Sequence, residues 1–309
     1  MTDARPLNAL TVDVEDYYQV SAFEDVVDRA RWDEHESRVE RNTRLVLDVL
    51  AARNVRGTFF TLGWVADRHP TLLREIVARG HELASHGYEH RRLTTLTPSQ
   101  FRDDLRRTSD AIERACGVRV RGFRAPSFSV GAGNLWVFDV LREAGYLFSS
   151  SVFPVRHDRY GMPDFPRRPV VLRGHDGRTI VEFPMTTSRV LGRNLPVAGG
   201  GWMRLLPGAL MRAALARENA AGAPAIVYLH PWELDPDQPR VRAAPARAKL
   251  RHYLALSRMR ARLDRLLATL RFSTVSDALA ALDPAAMPVL GPATVASPLS
   301  STAIPAGLA

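Results

Sequence analysis

The chain has 309 residues, 46% apolar and 24% charged, an ordinary globular composition for one large domain or two small ones. No window approaches 18 uncharged apolar residues, which excludes a membrane-spanning helix, and the single cysteine, Cys116, excludes an internal disulfide. The formal charge of +9 is nearly all arginine, and the arginines are interleaved with acids, as in RDDLRRTSDAIERA; they read as solvated helix faces and not as a nucleic-acid stripe, while attraction to an anionic membrane surface or substrate stays open.

The opening stretch, MTDARPLNALTVDV, has no basic region followed by an apolar core and a small-residue cleavage site, so no signal peptide is expected and a cytoplasmic location is the default. NALTVDV predicts a short strand, and TRLVLDVLAARNV has helical spacing. RGTFFTLG predicts a buried strand. HPTLLREIVARG predicts a helix, with Pro70 in its first turn and Gly80 just past its end. HELASHG predicts a strand running into a loop. Thr97-Pro98-Ser99-Gln100 predicts a capping box opening a helix that ends at Gly117. VRGFRAP, NLWVFDVLREAG and YLFSSSVF continue the alternation as strand, helix and strand. Between Pro154 and Pro207 the pattern breaks into Pro-, Gly- and Arg-rich loops around one strand, TIVEFPM. Helix returns at LLPGALMRAALARENAAG, then a strand at PAIVYLHP, a helix at RHYLALSRMRARLDRLLATL and a short strand at FSTV. From Pro284 to Ala309 no residue is charged, and a disordered tail is expected. Such alternation predicts parallel strands with crossover helices, an α/β sheet or barrel.

Asp13, Glu15 and Asp16 crowd the end of the first strand, where three carboxylates repel one another unless a cation sits among them. His86 and His90, in SHGYEH, are four apart, a spacing that puts both rings on one side of a helical turn. Each group follows a strand, and in a parallel α/β fold the C-terminal strand ends gather on one face. Two imidazoles and one carboxylate would hold a divalent metal ion and leave a position open for water. Arg124 follows the strand at Val120–Phe123, and His230 follows the strand at Ala225–Leu229, so both belong to the same face. Phe128, Trp232 and Trp202 are aromatic candidates for stacking on a ligand ring. Gly199-Gly200-Gly201 lacks the Lys and Ser/Thr of a phosphate loop and reads as a flexible turn beside a substrate groove.

At these residues the sequence resembles the polysaccharide deacetylase family, the carbohydrate esterases with a NodB-type homology domain. The first motif is similar to Thr11-Val12-Asp13-Val14-Glu15-Asp16, one residue longer than the usual T-F-D-D. The paired-histidine motif is met by His86-Gly87-Tyr88-Glu89-His90, with Gly87 where Ser or Thr is usual. Arg124-Ala125-Pro126 and Leu229-His230 match the remaining two motifs in order. DVEDYYQVSAFE, SSVFP, LGRNLPVAGGGWMRLLP and LHPWELDPDQPR resemble the exosortase- and exopolysaccharide-associated subgroup.

The resemblance implies a distorted (β/α) barrel with about seven parallel strands. The deacetylase domain would span 1–283, with a subgroup-specific part from about 150. It implies a divalent metal, most simply Zn2+, held by His86, His90 and either Glu15 or Asp16, with Asp16 favoured because Tyr17 and Tyr18 resume the pattern. Asp13 would be the base, Arg124 its partner, His230 the acid, and Pro126, Phe128 and Trp232 would face the sugar. The oxyanion would rest on the metal and a backbone N–H. The implied reaction is hydrolysis of N-acetyl groups on a hexosamine polymer or a lipid-linked oligosaccharide, with peripheral membrane contact and no nucleic acid. No counterpart of the family's second tuning acid is evident; Ser149 stands near its place. The competing readings are a carbohydrate-binding protein without catalysis on the same fold and an amidase for a small non-sugar amide.

Overall fold

The computed structural model describes residues 5–157, 160–197 and 199–291. Its first strand, β1 (Asn8–Val14), is buried at every position, so both of its faces are covered. A loop with a 3-10 turn at Arg29–Glu34 leads to α1 (Val39–Ala52). Then come β2 (Thr58–Thr61), α2 (Gly63–Arg68), α3 (Pro70–Ala78) and β3 (Glu82–Ser85). Next is α4 (Pro98–Cys116). It opens on the expected capping box, in which the Thr97 side chain accepts from the Gln100 N–H, and it ends at Gly117 with φ +74°. The first half closes with β4 (Gly122–Phe123), α5 (Trp136–Glu143) and β5 (Phe148–Ser149).

The stretch expected to hold one strand holds four. β6 (Val170–Arg173) and β7 (Thr179–Glu182) form an antiparallel pair, and β8 (Thr187–Val190) and β9 (Arg193–Pro196) form a separate hairpin. The expected helix from Leu205 is displaced: α6 (Gly200–Leu205) precedes it and α7 (Gly208–Ala220) follows Pro207. β10 (Ile226–Leu229) is the strand expected at PAIVYLHP. The long helix expected from Arg251 is broken into α8 (Ala246–Tyr253) and α9 (Met259–Leu267) by Ala255, whose φ of +56° no α-helix accommodates. β11 (Phe272–Ser273) and α10 (Val275–Ala280) follow. The disordered tail does not begin at Pro284: a 3-10 turn at Pro284–Ala286 is followed by β12 (Val289–Leu290), which pairs with β6. The rest of that stretch, 292–309, lies outside the described residues.

The main sheet runs β10-β1-β2-β3-β4-β5-β7-β6-β12, with β11 also on β1. From β10 to β7 every neighbouring pair is parallel. This is the expected mixed α/β architecture with helices outside a largely parallel sheet, although among the described residues the ring is not closed. Strand alternation divides the core in two. Leu10, Val12, Val14, Phe59 and Leu83 pack outward with the helices, whereas Ala9, Phe60, Ala84, Phe148 and Ile226 pack on the inner face. Among the described residues, no helix is long and apolar enough to cross a membrane.

Candidate active site

Glu15, His86, Arg124 and His230 each lie immediately beyond a parallel strand, after β1, β3, β4 and β10 respectively. Parallel strands bring their C-terminal ends to one face, and all four groups meet there with Asp13. The two-residue period of β1 puts Thr11 and Asp13 on the inner face beside Ala9. The Arg124 guanidinium, fully buried, donates from Nη1 to Thr11 Oγ1 and to Asp13 Oδ1, both at 2.7 Å. Its other nitrogens donate to the Ser150 carbonyl at 3.1 Å and the Ser150 hydroxyl at 3.0 Å. The Phe60 ring lies 4.1 Å from the guanidinium carbon. Arg124 is thus held from five sides, and it leaves Asp13 Oδ2 free to face His230, 3.9 Å away.

Beside this pair, Glu15, His86 and His90 place one ligand atom each within 4.8 Å of one another, all three buried. The histidines do not share a helical turn, as their spacing suggested. Residues 86–92 form a loop in which Gly87 has φ +75° and His90 φ +52°. This explains glycine at position 87, where the backbone is left-handed and a Cβ would also stand 3.0 Å from Asp104 Oδ2. His86 donates from Nδ1 to the Arg124 carbonyl at 2.9 Å, which turns its Nε2 lone pair towards the cluster. Burial pushes the His86 imidazole down to about 4 and the His90 imidazole well below its usual value, so both are neutral donors near neutral pH. Burial lifts Glu15 to about 7; His230 opposes that rise and Asp13 adds to it. Glu15 Oε2 and His90 Nδ1 have no hydrogen-bond partner among the described residues. Two neutral imidazoles and a carboxylate, with buried atoms left over, are a donor set suited to a divalent cation.

Asp16 stands apart from this cluster, contrary to the preference for it as ligand. Its Oδ2 accepts from the Ser37 hydroxyl and from the backbone N–H groups of Arg38 and Val39, at 2.8, 2.8 and 3.1 Å. Asp16 therefore caps α1, whose own N-cap residue, Arg38, supplies no side-chain cap. Glu15 is the carboxylate the backbone turns towards the histidines.

His230 faces Glu15 Oε1 at 3.6 Å through Nε2, and its Nδ1 lies 3.4 Å from Glu233 Oε2. Burial alone would lower its pKa; the hydrogen bond it donates to Glu233 and the charges of Glu15, Glu233 and Asp13 outweigh it and raise the imidazole to about 9. Burial likewise opposes ionisation of Glu233, but Arg204, then His230, prevail and hold it at about 2. Arg204 Nε donates to Glu233 Oε1 at 2.7 Å. Glu233 and Arg204 were not legible as functional in the sequence. The only signal for Glu233 was an acid three residues after His230, which a 3-10 turn at Pro231–Leu234 brings back to the ring. Ser149 does not approach His230; its hydroxyl donates to Ser151, in a loop whose Ser151 and Val152 N–H groups are held by Glu182.

Of the residues expected to face a sugar, Phe128 lines the cavity over these groups, a space of about 470 Å³. Pro126 is buried and is not among the described lining residues. Trp232 is among the cavity's lining residues but is 4% exposed, and its ring stacks on His230 at 4.9 Å and on His252 at 4.0 Å, which leaves little of it to receive a sugar. Gly199 and Gly200 are not a flexible turn: Gly199 bridges to Tyr228, and a Cβ there would lie 1.9 Å from the Tyr228 carbonyl oxygen.

Residues 150–280 match the model of a domain of unknown function, DUF3473. Over 97 residues the chain is 38% identical to a chitooligosaccharide deacetylase of Bradyrhizobium sp. (strain ANU 289), covering 31% of this chain and 42% of that protein. Over 84 residues it is 31% identical to a peptidoglycan-N-acetylglucosamine deacetylase of Bacillus cereus, covering 27% and 30%. The chain thus spans less than half the length of these relatives. A Mycobacterium smegmatis structure solved as a candidate polysaccharide deacetylase shares the fold, with a TM-score of 0.58 at 22% identity over 90% of each chain. Residues 22–148, less than half of the chain, match the model for polysaccharide deacetylases, the family that the sequence motifs resemble.

Proposed function

We propose that the chain hydrolyses the N-acetyl amide of hexosamine units in a polysaccharide. The observation that carries this reading is the meeting of the Glu15–His86–His90 cluster with the Asp13–Arg124 pair and His230 at one mouth of the sheet. Glu15, His86 and His90 would hold a divalent ion, zinc being the metal that suits this donor set; when bound, such an ion supplies Lewis acidity to the attacking water and the amide oxygen.

The chain's own groups supply the proton transfers. Arg124 occupies Asp13 Oδ1 and leaves Oδ2 to take a proton from water as the water oxygen bonds to the carbonyl carbon. His230, charged at neutral pH by its acidic neighbours, gives a proton to the nitrogen as the C–N bond breaks. The products are acetate and a free amine. Glu233 holds the His230 Nδ1 side, and Trp232 fixes the ring plane, so Nε2 points at the reacting atoms. The finer reading, action on an exopolysaccharide, rests on the resemblance of DVEDYYQVSAFE and LGRNLPVAGGGWMRLLP to the exopolysaccharide-associated subgroup, and a lipid-linked precursor met in the cytoplasm is proposed with it.

The test is release of acetate and free amine, in equal amounts, from N-acetylglucosamine oligomers with zinc or with chelator. Release should require the metal and vanish in His86→Ala. In His230→Ala it should vanish while metal binding persists. Turnover by His86→Ala under chelator would end the assignment.

A further inference from the structure

A second, larger cavity of about 1210 Å³ adjoins the site. His157, Tyr160 and Trp202 line both spaces, so a ligand extending from the reacting centre enters it directly. Among the described residues, five arginines line this cavity, against one acid, Asp164. Two of the five are committed to the protein. Arg167 donates to Thr187 and Glu218, and Arg168 to the Ala221 carbonyl. Arg156, Arg189 and Arg193 are different: all three are exposed, and none has a hydrogen bond or ion pair among the described residues. Arg189 and Arg193 belong to the β8–β9 hairpin, which Asn194 ties to the cavity floor through the carbonyls of Pro154 and Pro163, at 2.9 and 3.2 Å. Some arginines elsewhere are paired with acids, as in Arg53–Asp264 and Arg68–Asp33, and others, such as Arg119 and Arg260, have no ion pair among the described residues; what sets these three apart is that they surround one concavity. Unpaired cations around one concavity repel one another and concentrate a positive field where field lines are focused.

We propose that the substrate carries an anionic group, carboxylate or phosphate, beside its acetamido sugar, and that Arg156, Arg189 and Arg193 receive it in this second cavity. The term substrate rests on the deacetylase reading; the anion site does not. A neutral amino-sugar polymer would leave the three guanidiniums without a partner. A polymer with acidic sugars would satisfy them along its length, and a phosphate-linked precursor would satisfy them at one end.

The test compares three probes by calorimetry on the full chain at low and high salt: a neutral N-acetylglucosamine hexamer, a hexamer alternating N-acetylglucosamine with glucuronate, and UDP-N-acetylglucosamine. At least one acidic probe should bind about tenfold more tightly than the neutral hexamer at low salt, the size expected of three partly solvated cations acting together. Preference for the glucuronate hexamer identifies a carboxylate on the polymer; preference for the nucleotide sugar identifies a phosphate. The advantage should disappear at high salt and in Arg156→Ser/Arg189→Ser/Arg193→Ser, whose acetate release from the neutral hexamer should match the parent's. Equal binding of all three probes, or an advantage that survives the triple substitution, overturns the proposal. If the advantage appears as described but no probe is ever deacetylated, the anion site stands and the reaction assigned above falls.

Discussion

Arg124→Leu is the substitution whose cost the structure defines best. The guanidinium is wholly buried, and its partner Asp13 has a side-chain exposure of 3%. Removing Arg124 strands the Asp13 carboxylate without its 2.7 Å partner and also takes the donor from Thr11 Oγ1 and from the Ser150 carbonyl and hydroxyl. Removing one member of a buried ion pair costs about 3–5 kcal/mol, chiefly because the other charge stays buried alone. Replacing both, in Arg124→Leu/Asp13→Leu, removes that lone charge, so the double variant should be more stable than the sum of the single costs predicts, by about 1–3 kcal/mol. Arg124→Lys should fall between, since an ammonium cannot serve Asp13 and Ser150 from opposite edges. Urea unfolding under chelator, followed by circular dichroism, measures the parent, Arg124→Leu, Asp13→Leu, the double variant and Arg124→Lys. A single-variant cost under about 1 kcal/mol, or strict additivity in the double variant, would refute the claim that this buried pair organises the site.

Other expectations follow from the same geometry. Glu233→Gln keeps an acceptor for the His230 N–H but removes the charge that orients and protonates the ring; kcat should fall about 10- to 100-fold with KM nearly unchanged, and Arg204→Met should act in the same direction. Burial lifts Glu182 from 4.5 to about 7 despite its bonds to Ser149, Val152 and Ser151. A carboxyl raised in the folded state favours folding while protonated. That contribution is complete below pH 4.5 and is lost as pH rises to about 7, at most about 3 kcal/mol. Melting temperatures should therefore show Glu182→Gln gaining on the parent as pH rises through this window; a constant difference would exclude the effect. Gly199→Ala, whose Cβ would sit 1.9 Å from the Tyr228 carbonyl oxygen at φ +125°, should cost more than about 2 kcal/mol. Gly201→Ala, with its nearest neighbour 3.9 Å away, should change thermal stability by no more than about 0.5 kcal/mol.

What could be read from the sequence was what depends on local pattern. β1, β2 and β10 are short, wholly buried runs rich in apolar and β-branched residues, and that pattern made their positions visible; β3 was visible as a short run between Gly80 and the loop at Gly87. The convergence of Asp13, His86, Arg124 and His230 followed from their places at strand ends. The choice between Glu15 and Asp16 did not, because it turns on Asp16 capping a helix that starts more than twenty residues later. Local spacing also misplaced the histidine pair on a helical turn, when left-handed backbone at Gly87 and His90 brings the rings together. Trp232 looked like a sugar platform because one of its stacking partners, His252, comes from a separate segment twenty residues on. The β8–β9 hairpin and β12 escaped detection because they are short and, at β8–β9, half exposed, with no apolar alternation to announce them.

The central claim is that Glu15, His86 and His90 hold one divalent ion at the mouth of the sheet. Equilibrium dialysis of the purified chain against zinc, with metal read by atomic absorption, tests it directly. The account predicts one tightly held ion per chain, lost in Glu15→Gln and in His86→Ala, and retained in Asp16→Asn even though that variant melts earlier for want of its helix cap. Retention of the ion by His86→Ala, or its loss in folded Asp16→Asn but not in Glu15→Gln, would contradict it.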